Sequence, residues 1–227
     1  TVRRLKDLRP DMLVETLVGD FGGRHDSIDM TVDVGPDVWA HNIEVVRRLQ
    51  RTIRDVRCSY DRSLDVLRRA KERAPQVVTK SSIMVGIGET DEEVLETMRD
   101  LRAVGVDILT VGQYLRPTPK HAPVDRYVEP ARFDEFAREG RAIGFAYVAS
   151  GPLVRSSYKA AEVYVRSVLR PGDPQAADAV LRDRLAQAYE RRHVVESDAT
   201  CDAPVSTSEL AAHLAGSLLP AHALVRR

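Results

Sequence analysis

Two hydrophobic rhythms alternate along this chain. Short apolar runs end in Gly, Asp or Asn, and longer stretches carry apolar residues three and four apart. The first run, Met12–Phe21, reads as a strand. It is followed by His25–Gly35 with helical spacing at Ile28 and Val32, stopped by Gly35-Pro36. Asp37–Val46 reads as a second strand with Asn42 and Glu44 near its end, and Asp61–Pro75 as an amphipathic helix sharing Leu64, Leu67 and Ala70 on one face. Thr79–Thr90 is a third strand and its turn.

Thr90 with Glu93 three residues on forms a capping box that opens the next helix. Acidic residues fill its first turn and arginines its later turns, as the helix dipole favours. Val94, Met98 and Leu101 trace one face, and Gly105 ends it. Asp107–Pro119 predicts a fourth strand, Pro130–Gly144 a fourth helix and Phe145–Pro152 a fifth strand. About five strand–helix alternations with short connectors predict an α/β fold with a parallel sheet. The regular spacing, and the lack of a glycine-rich dinucleotide fingerprint, favour a partial (β/α) barrel over a doubly wound sheet.

After about Leu169 the pattern changes. Arg170–Gln175 (RPGDPQ) is a linker signal, Ala176–His193 reads as a helix, and Val194–Arg227 is rich in Ser, Thr and Asp. This divides the chain into a barrel part, 1–169, and a mostly helical or disordered tail, 170–227. His193, His213 and His222 have no metal-ligand spacing and read as surface residues.

Composition narrows the function. Thirty-four Lys and Arg balance thirty-four Asp and Glu over 227 residues, so no global field draws nucleic acid or an anionic membrane. No apolar run is long enough to span a bilayer, and the opening TVRRLKDLRPD lacks the apolar core of a signal peptide. Two distant cysteines, Cys58 and Cys201, form no disulfide framework and no Cys-rich metal motif. This suits a reducing, cytoplasmic-type location.

Barrels of this kind carry their sites at the C-terminal ends of the strands. There the sequence sets Asp20, Asn42, Glu44, Gly86, Gly88, Glu89, Gln113, Tyr114 and the pair Ser156/Ser157. Asn42 and Glu44, two apart, would share one side of a strand and hold a ribose or amino group, or else anchor a loop. Gly86 and Gly88 open the backbone to an approaching ligand, anionic groups being favoured by the following helix N-terminus, or simply make a tight turn. Lys80 offers a cation, as do Lys120 and His121 in a proline-fixed loop. Ser156 and Ser157 face the site or cap a helix. From the residues alone this is a ligand-binding α/β barrel, with a cofactor-free hydrolase or aldolase and a non-catalytic binding module both open.

The runs VGDFGG, GPDVWAHNIEVVRRLQ and SYDRSLDVLRRAKE, the block Thr79–Pro130 and GFAYVASGPLVRSSYKA resemble the lipoyl synthase (lipoic acid synthetase) family of radical S-adenosylmethionine enzymes. The resemblance covers about Thr1 to Ala160. It implies two 4Fe–4S clusters and S-adenosylmethionine, which together insert two sulfur atoms at C6 and C8 of a protein-bound octanoyl group. It implies an octanoylated lipoyl carrier as partner (a lipoyl domain of a 2-oxoacid dehydrogenase or the glycine cleavage H protein), and an electron donor such as flavodoxin or ferredoxin. Neither nucleic acid nor membrane is implied. It assigns Ser157, with Ser156 as alternative, as the iron ligand of the sulfur-donating cluster, and has Asn42, Glu44, Lys80, Gly86 and Glu89 lining the cofactor and octanoyl sites.

This sequence departs from the family pattern in two respects. The family's cysteine triplets, C-x4-C-x5-C and C-x3-C-x2-C, precede everything matched here, and Gly19 stands where proline is usual. The expectation is therefore the C-terminal part of such a barrel, with its first strands missing and no activity on its own. The competing expectation is a degenerate binding or regulatory module on the same half-barrel.

Overall fold

The computed structural model describes residues 1–156. Its centre is a five-stranded, all-parallel sheet of β1 (Glu15–Leu17), β2 (Val38–Ala40), β3 (Val78–Val85), β4 (Ile108–Gln113) and β5 (Tyr147–Gly151). The strands lie side by side in sequence order. No crossover reverses direction, so the sheet has the single winding of a barrel segment rather than a doubly wound order.

Helices α2 (His25–Val32), α4 (Tyr60–Arg73), α5 (Asp91–Ala103) and α6 (Pro130–Ile143) join the strands. Trp39, Ile83, Val85, Leu109, Val111 and Val148 alternate onto the sheet face that meets them, forming one core with Ile28, Leu67, Met98 and Phe136. The caps are those the sequence announces. Thr90 accepts from the Glu93 amide while the Glu93 carboxylate accepts from that of Thr90. Pro130 occupies the first turn of α6, and Gly144 ends it at φ +108°. Helices α2 and α4 are further joined by three rungs at one offset: His25–Asp65, Asp29–Arg69 and Asp33–Arg73. Positions four apart on both helices place these pairs one above another.

The opposite, inward face has graded chemistry. Register aligns Lys80, Ile108 and Tyr147, then Ser82, Thr110 and Ala149, then Met84, Gly112 and Gly151. Ile108 and Tyr147 of the first row pack with Val38, Val78 and Leu13 as an apolar plug. The face thus runs from apolar at the N-terminal ends of the strands to polar and small at the C-terminal ends.

The structure departs from the sequence reading in three places. The chain opens with an unforeseen helix, α1 (Val2–Leu8). The first strand is three residues long, and beyond it Asp20 caps a 3-10 turn at Phe21–Gly23, where Gly22 and Gly23 have positive φ. The second ends at Ala40; Ile43, Val45 and Val46 stay buried, but as a loop leading into a second 3-10 turn and α3 (Gln50–Ile53). The boundary expected after Leu169, the tail helix Ala176–His193, the tail histidines, Cys201 and Ser157 lie outside the described residues.

Candidate active-site cavity

A cavity of ≈ 490 Å³ opens at the C-terminal ends of the strands. Ser82 and Met84 of β3 and Gly112 of β4 form its floor. Asn42 and Glu44 line one side; Lys120 and His121, from the loop after β4, and Arg155 and Ser156, beyond β5, also line it. Ile53, Tyr114 and Leu115 add apolar surface. Such a mixture of apolar wall and a few convergent polar groups is what a small-molecule site of this size needs.

Asn42 and Glu44 come together by a route the sequence did not show. The alternation argument fails because neither is in a strand. Glu44 has φ +69°, a left-handed conformation rare for a residue with a side chain. The Val45 amide donates to the Ile43 carbonyl at 2.9 Å, closing a three-residue γ-turn around Glu44. The turn is stitched to β3: the Glu44 amide donates to the Ser82 carbonyl, and its carbonyl accepts from Met84. Burial pushes the Glu44 carboxyl above its ordinary range, opposed by a bond from Asn42 and by the nearby Arg54 charge. Strain of this kind persists only where surroundings enforce it.

Lys80 is one step deeper on the inward face and does not line the cavity. The residue is 1 % exposed, and its ammonium donates to both carboxylate oxygens of Glu15 on β1 at 2.7 and 2.9 Å. Glu89 is also turned inward, where it accepts from the Gly86 and Ile87 amides at 2.7 and 3.0 Å. The anion at this turn is thus the chain's own. What approaches Gly86 is likewise the protein: a Cβ there would collide with the Gln113 amide and the Arg126 carbonyl. Gln113 donates to the Arg126 carbonyl and accepts from the Val128 amide, fastening the loop after β4 across the end of β3. Tyr114 closes that loop on itself through the Ala122 carbonyl.

Sequence reasoning passed over His41, which is buried just behind the site. Its Nδ1–H donates to the Val18 carbonyl and its Nε2 accepts from Ser63. Burial holds its pKa below the ordinary value. The signal for it was present: a histidine following an apolar strand and preceding Asn42. Its partners, 22 and 23 residues away, were not. Among the described residues neither Lys120 nor Arg155 has a carboxylate partner; Arg155 donates to the Pro152 and Val154 carbonyls instead.

Residues 2–101 match the Radical SAM superfamily. The chain is 56% identical over 254 aligned positions to a lipoyl synthase of Sorangium cellulosum (strain So ce56), covering 100% of this chain and 68% of that protein. It is 54% identical over 175 residues to the chloroplastic lipoyl synthase 1 of Oryza sativa subsp. indica and 53% over 173 residues to the lipoyl synthase of Deinococcus radiodurans. It spans 47% and 51% of those two proteins, about half their length. Among solved structures, that of methylornithine synthase is similar over 74% of this chain and 40% of that one, with 18% identity and a TM-score of 0.43.

Proposed function

The chain belongs to the lipoyl synthase family of radical S-adenosylmethionine proteins, and we propose that it forms the cofactor- and substrate-facing wall of an enzyme that inserts two sulfur atoms at C6 and C8 of a protein-bound octanoyl group. The observation that carries this reading is the cavity at the strand ends, lined by Asn42 and Glu44 and by the cations Lys120 and Arg155, which have no carboxylate partner among the described residues. A zwitterionic, ribose-bearing ligand such as S-adenosylmethionine suits that arrangement. Glu44 and Asn42 would hold its ammonium or ribose hydroxyls, and the cations its carboxylate. Met84, Ile53 and Leu115 offer apolar surface for an octanoyl chain.

The residues present here do not fit a 4Fe–4S cluster. Such a cluster takes several convergent thiolates. The chain has two cysteines, Cys58 sits half-buried in the loop before α4, and no group of three His, Cys, Asp or Glu among the described residues could hold a metal. In this reading the cluster thiolates come from outside these 227 residues. The isolated chain then holds no stable cluster and has no turnover of its own. Ser156, the second residue of the RSSY run, lines the cavity, and that run supplies our candidate for an iron-facing hydroxyl, Ser157 with Ser156 as the alternative. The partners are an octanoylated lipoyl carrier and a small electron-donor protein. Among the described residues no helix is long and apolar enough to cross a membrane.

Two measurements test this on the chain itself. Anaerobic incubation with iron and sulfide, followed by iron analysis, should leave less than stoichiometric iron and no broad visible absorbance. Calorimetric titration with S-adenosylmethionine should show binding that Glu44→Ala weakens at least about tenfold, the cost of a lost charged hydrogen bond. Unchanged binding in that variant would remove Glu44 from the site.

A further inference from the structure

The γ-turn that presents Glu44 is strained, and local backbone bonds are not all that hold it. Gln50, 4 % exposed at the start of α3, sends its side-chain amide to the carbonyls on both sides of Glu44. It donates to Ile43 at 3.0 Å and to Val45 at 2.7 Å. Its own oxygen accepts from Arg54 Nη1 at 3.2 Å. The same Arg54 nitrogen also lies 3.3 Å from the Ile43 carbonyl and 3.0 Å from Ser63 Oγ. Ser63 in turn donates to His41 Nε2, and Ser81 Oγ accepts from the Ile43 amide.

Gln50 itself is not part of the cavity wall, although Thr52 and Ile53, just after it on α3, are. Its two donors are spent on one three-residue turn, and a methyl-terminated chain of the same length would fill the space without either bond. We propose that Gln50 is a positioning residue: its amide, backed by Arg54, clamps the strained turn so that the Glu44 carboxylate faces the cavity. The role in ligand binding rests on the reading of Glu44 given above; the clamp itself does not.

The clamp makes a specific demand on energetics. Glycine adopts φ +69° freely, so a turn with Gly at position 44 needs no clamp. Urea unfolding of the chain should show Gln50→Met raising the unfolding equilibrium constant by about tenfold or more, the usual effect of unsatisfying a buried carbonyl and releasing a strained turn. In the Glu44→Gly background the same change should raise it by a clearly smaller factor, because the strain is gone and only the unsatisfied carbonyl remains, a coupling between neighbours. Equal effects in both backgrounds would overturn the clamp. Arg54→Met, which leaves both Gln50 bonds to the turn but removes the bond that backs Gln50 together with those to the Ile43 carbonyl and Ser63, should behave in the same sense with a smaller effect and covers the case in which Gln50→Met does not fold.

Binding of S-adenosylhomocysteine, followed by calorimetry, separates the clamp from the ligand reading. Positioning requires both Gln50→Met and Glu44→Gln to weaken binding at least about tenfold, or ~1.4 kcal/mol. Loss in Glu44→Gln but not in Gln50→Met overturns the positioning role and leaves Glu44 in the site. Unchanged binding in Glu44→Gln, or no binding by the unaltered chain, overturns the ligand reading and the positioning role with it, while the unfolding data still decide the clamp.

Discussion

The carbonyl oxygen of Val154 lies where a side chain on Gly112 would have to be. A Cβ built on Gly112 meets that oxygen closer than any van der Waals contact permits. Gly112 belongs to the inward face of β4, and Val154 to the segment that leaves β5 and folds back over the strand ends. The absent side chain is what lets Arg155 and Ser156 reach the cavity.

Gly112→Ala should therefore lift the segment after β5 off the floor. Because the obstacle is backbone, relief needs a shift of the chain itself, at a cost on the order of 2 kcal/mol. Urea unfolding gives the cost, and amide exchange at 151–156 reports the displacement. Native-like stability with unchanged exchange would show that the close approach does not fix this segment.

The Lys80–Glu15 pair leads to an asymmetric expectation. Lys80 is buried on all sides, whereas the Glu15 side chain is 37% exposed. Glu15→Gln leaves a buried ammonium without its compensating charge and should cost about 3 kcal/mol. Lys80→Met leaves a carboxylate that can turn to water and should cost clearly less, at equal length and with apolar Ile108 and Tyr147 beside it in register. Denaturation midpoints of the two variants at one pH decide the order. The reverse order would mean that the ammonium reaches solvent through the barrel.

His41 sets a pH dependence of known sign. Its folded pKa lies below the ordinary 6.5 because the ring is buried, so the unfolded chain binds the proton more readily. The stability it supports is complete above about pH 6.5 and falls as pH drops toward the folded pKa. His41→Asn keeps a donor for the Val18 carbonyl and should flatten this part of the curve while lowering its plateau. Urea midpoints between about pH 8 and 5 test it. A parent curve that is flat from 6.5 to 5, or one whose slope the variant leaves unchanged, would exclude His41 as the source.

Where caps and periodicity agreed, the fold was legible in the chain. Thr90, Glu93, Val94, Met98 and Leu101 announce α5 within one stretch of sequence, and Pro130 and Gly144 bracket α6. Each depends on neighbours at most a few turns away. What could not be read depends on partners far along the chain. Ile43–Val46 has the apolar character of a strand, and nothing local says that Glu44 turns left-handed, since the bonds that hold it come from Ser82, Met84 and Gln50. Lys80 reads as a free cation until the register brings Glu15, 65 positions earlier, beside it. Gly86 does mark a close approach, but of Gln113 and Arg126. Asn42 and Glu44 were placed on the same rim by an argument from strand alternation, and they reach it through a turn.

The most direct test of the proposed chemistry is turnover. The chain, joined to the stretch of the Sorangium cellulosum relative that the match leaves uncovered, would be loaded anaerobically with iron and sulfide. It would then be given reductant, S-adenosylmethionine and an octanoyl-lysyl peptide, and the peptide followed by mass spectrometry. The account expects replacement of two hydrogens by two sulfurs, and a loss of at least about a hundredfold in Glu44→Ala, the size expected when a group that orients the reacting ligand is removed. Full iron loading with no sulfur on the peptide, or equal product from the Glu44→Ala form, would contradict it.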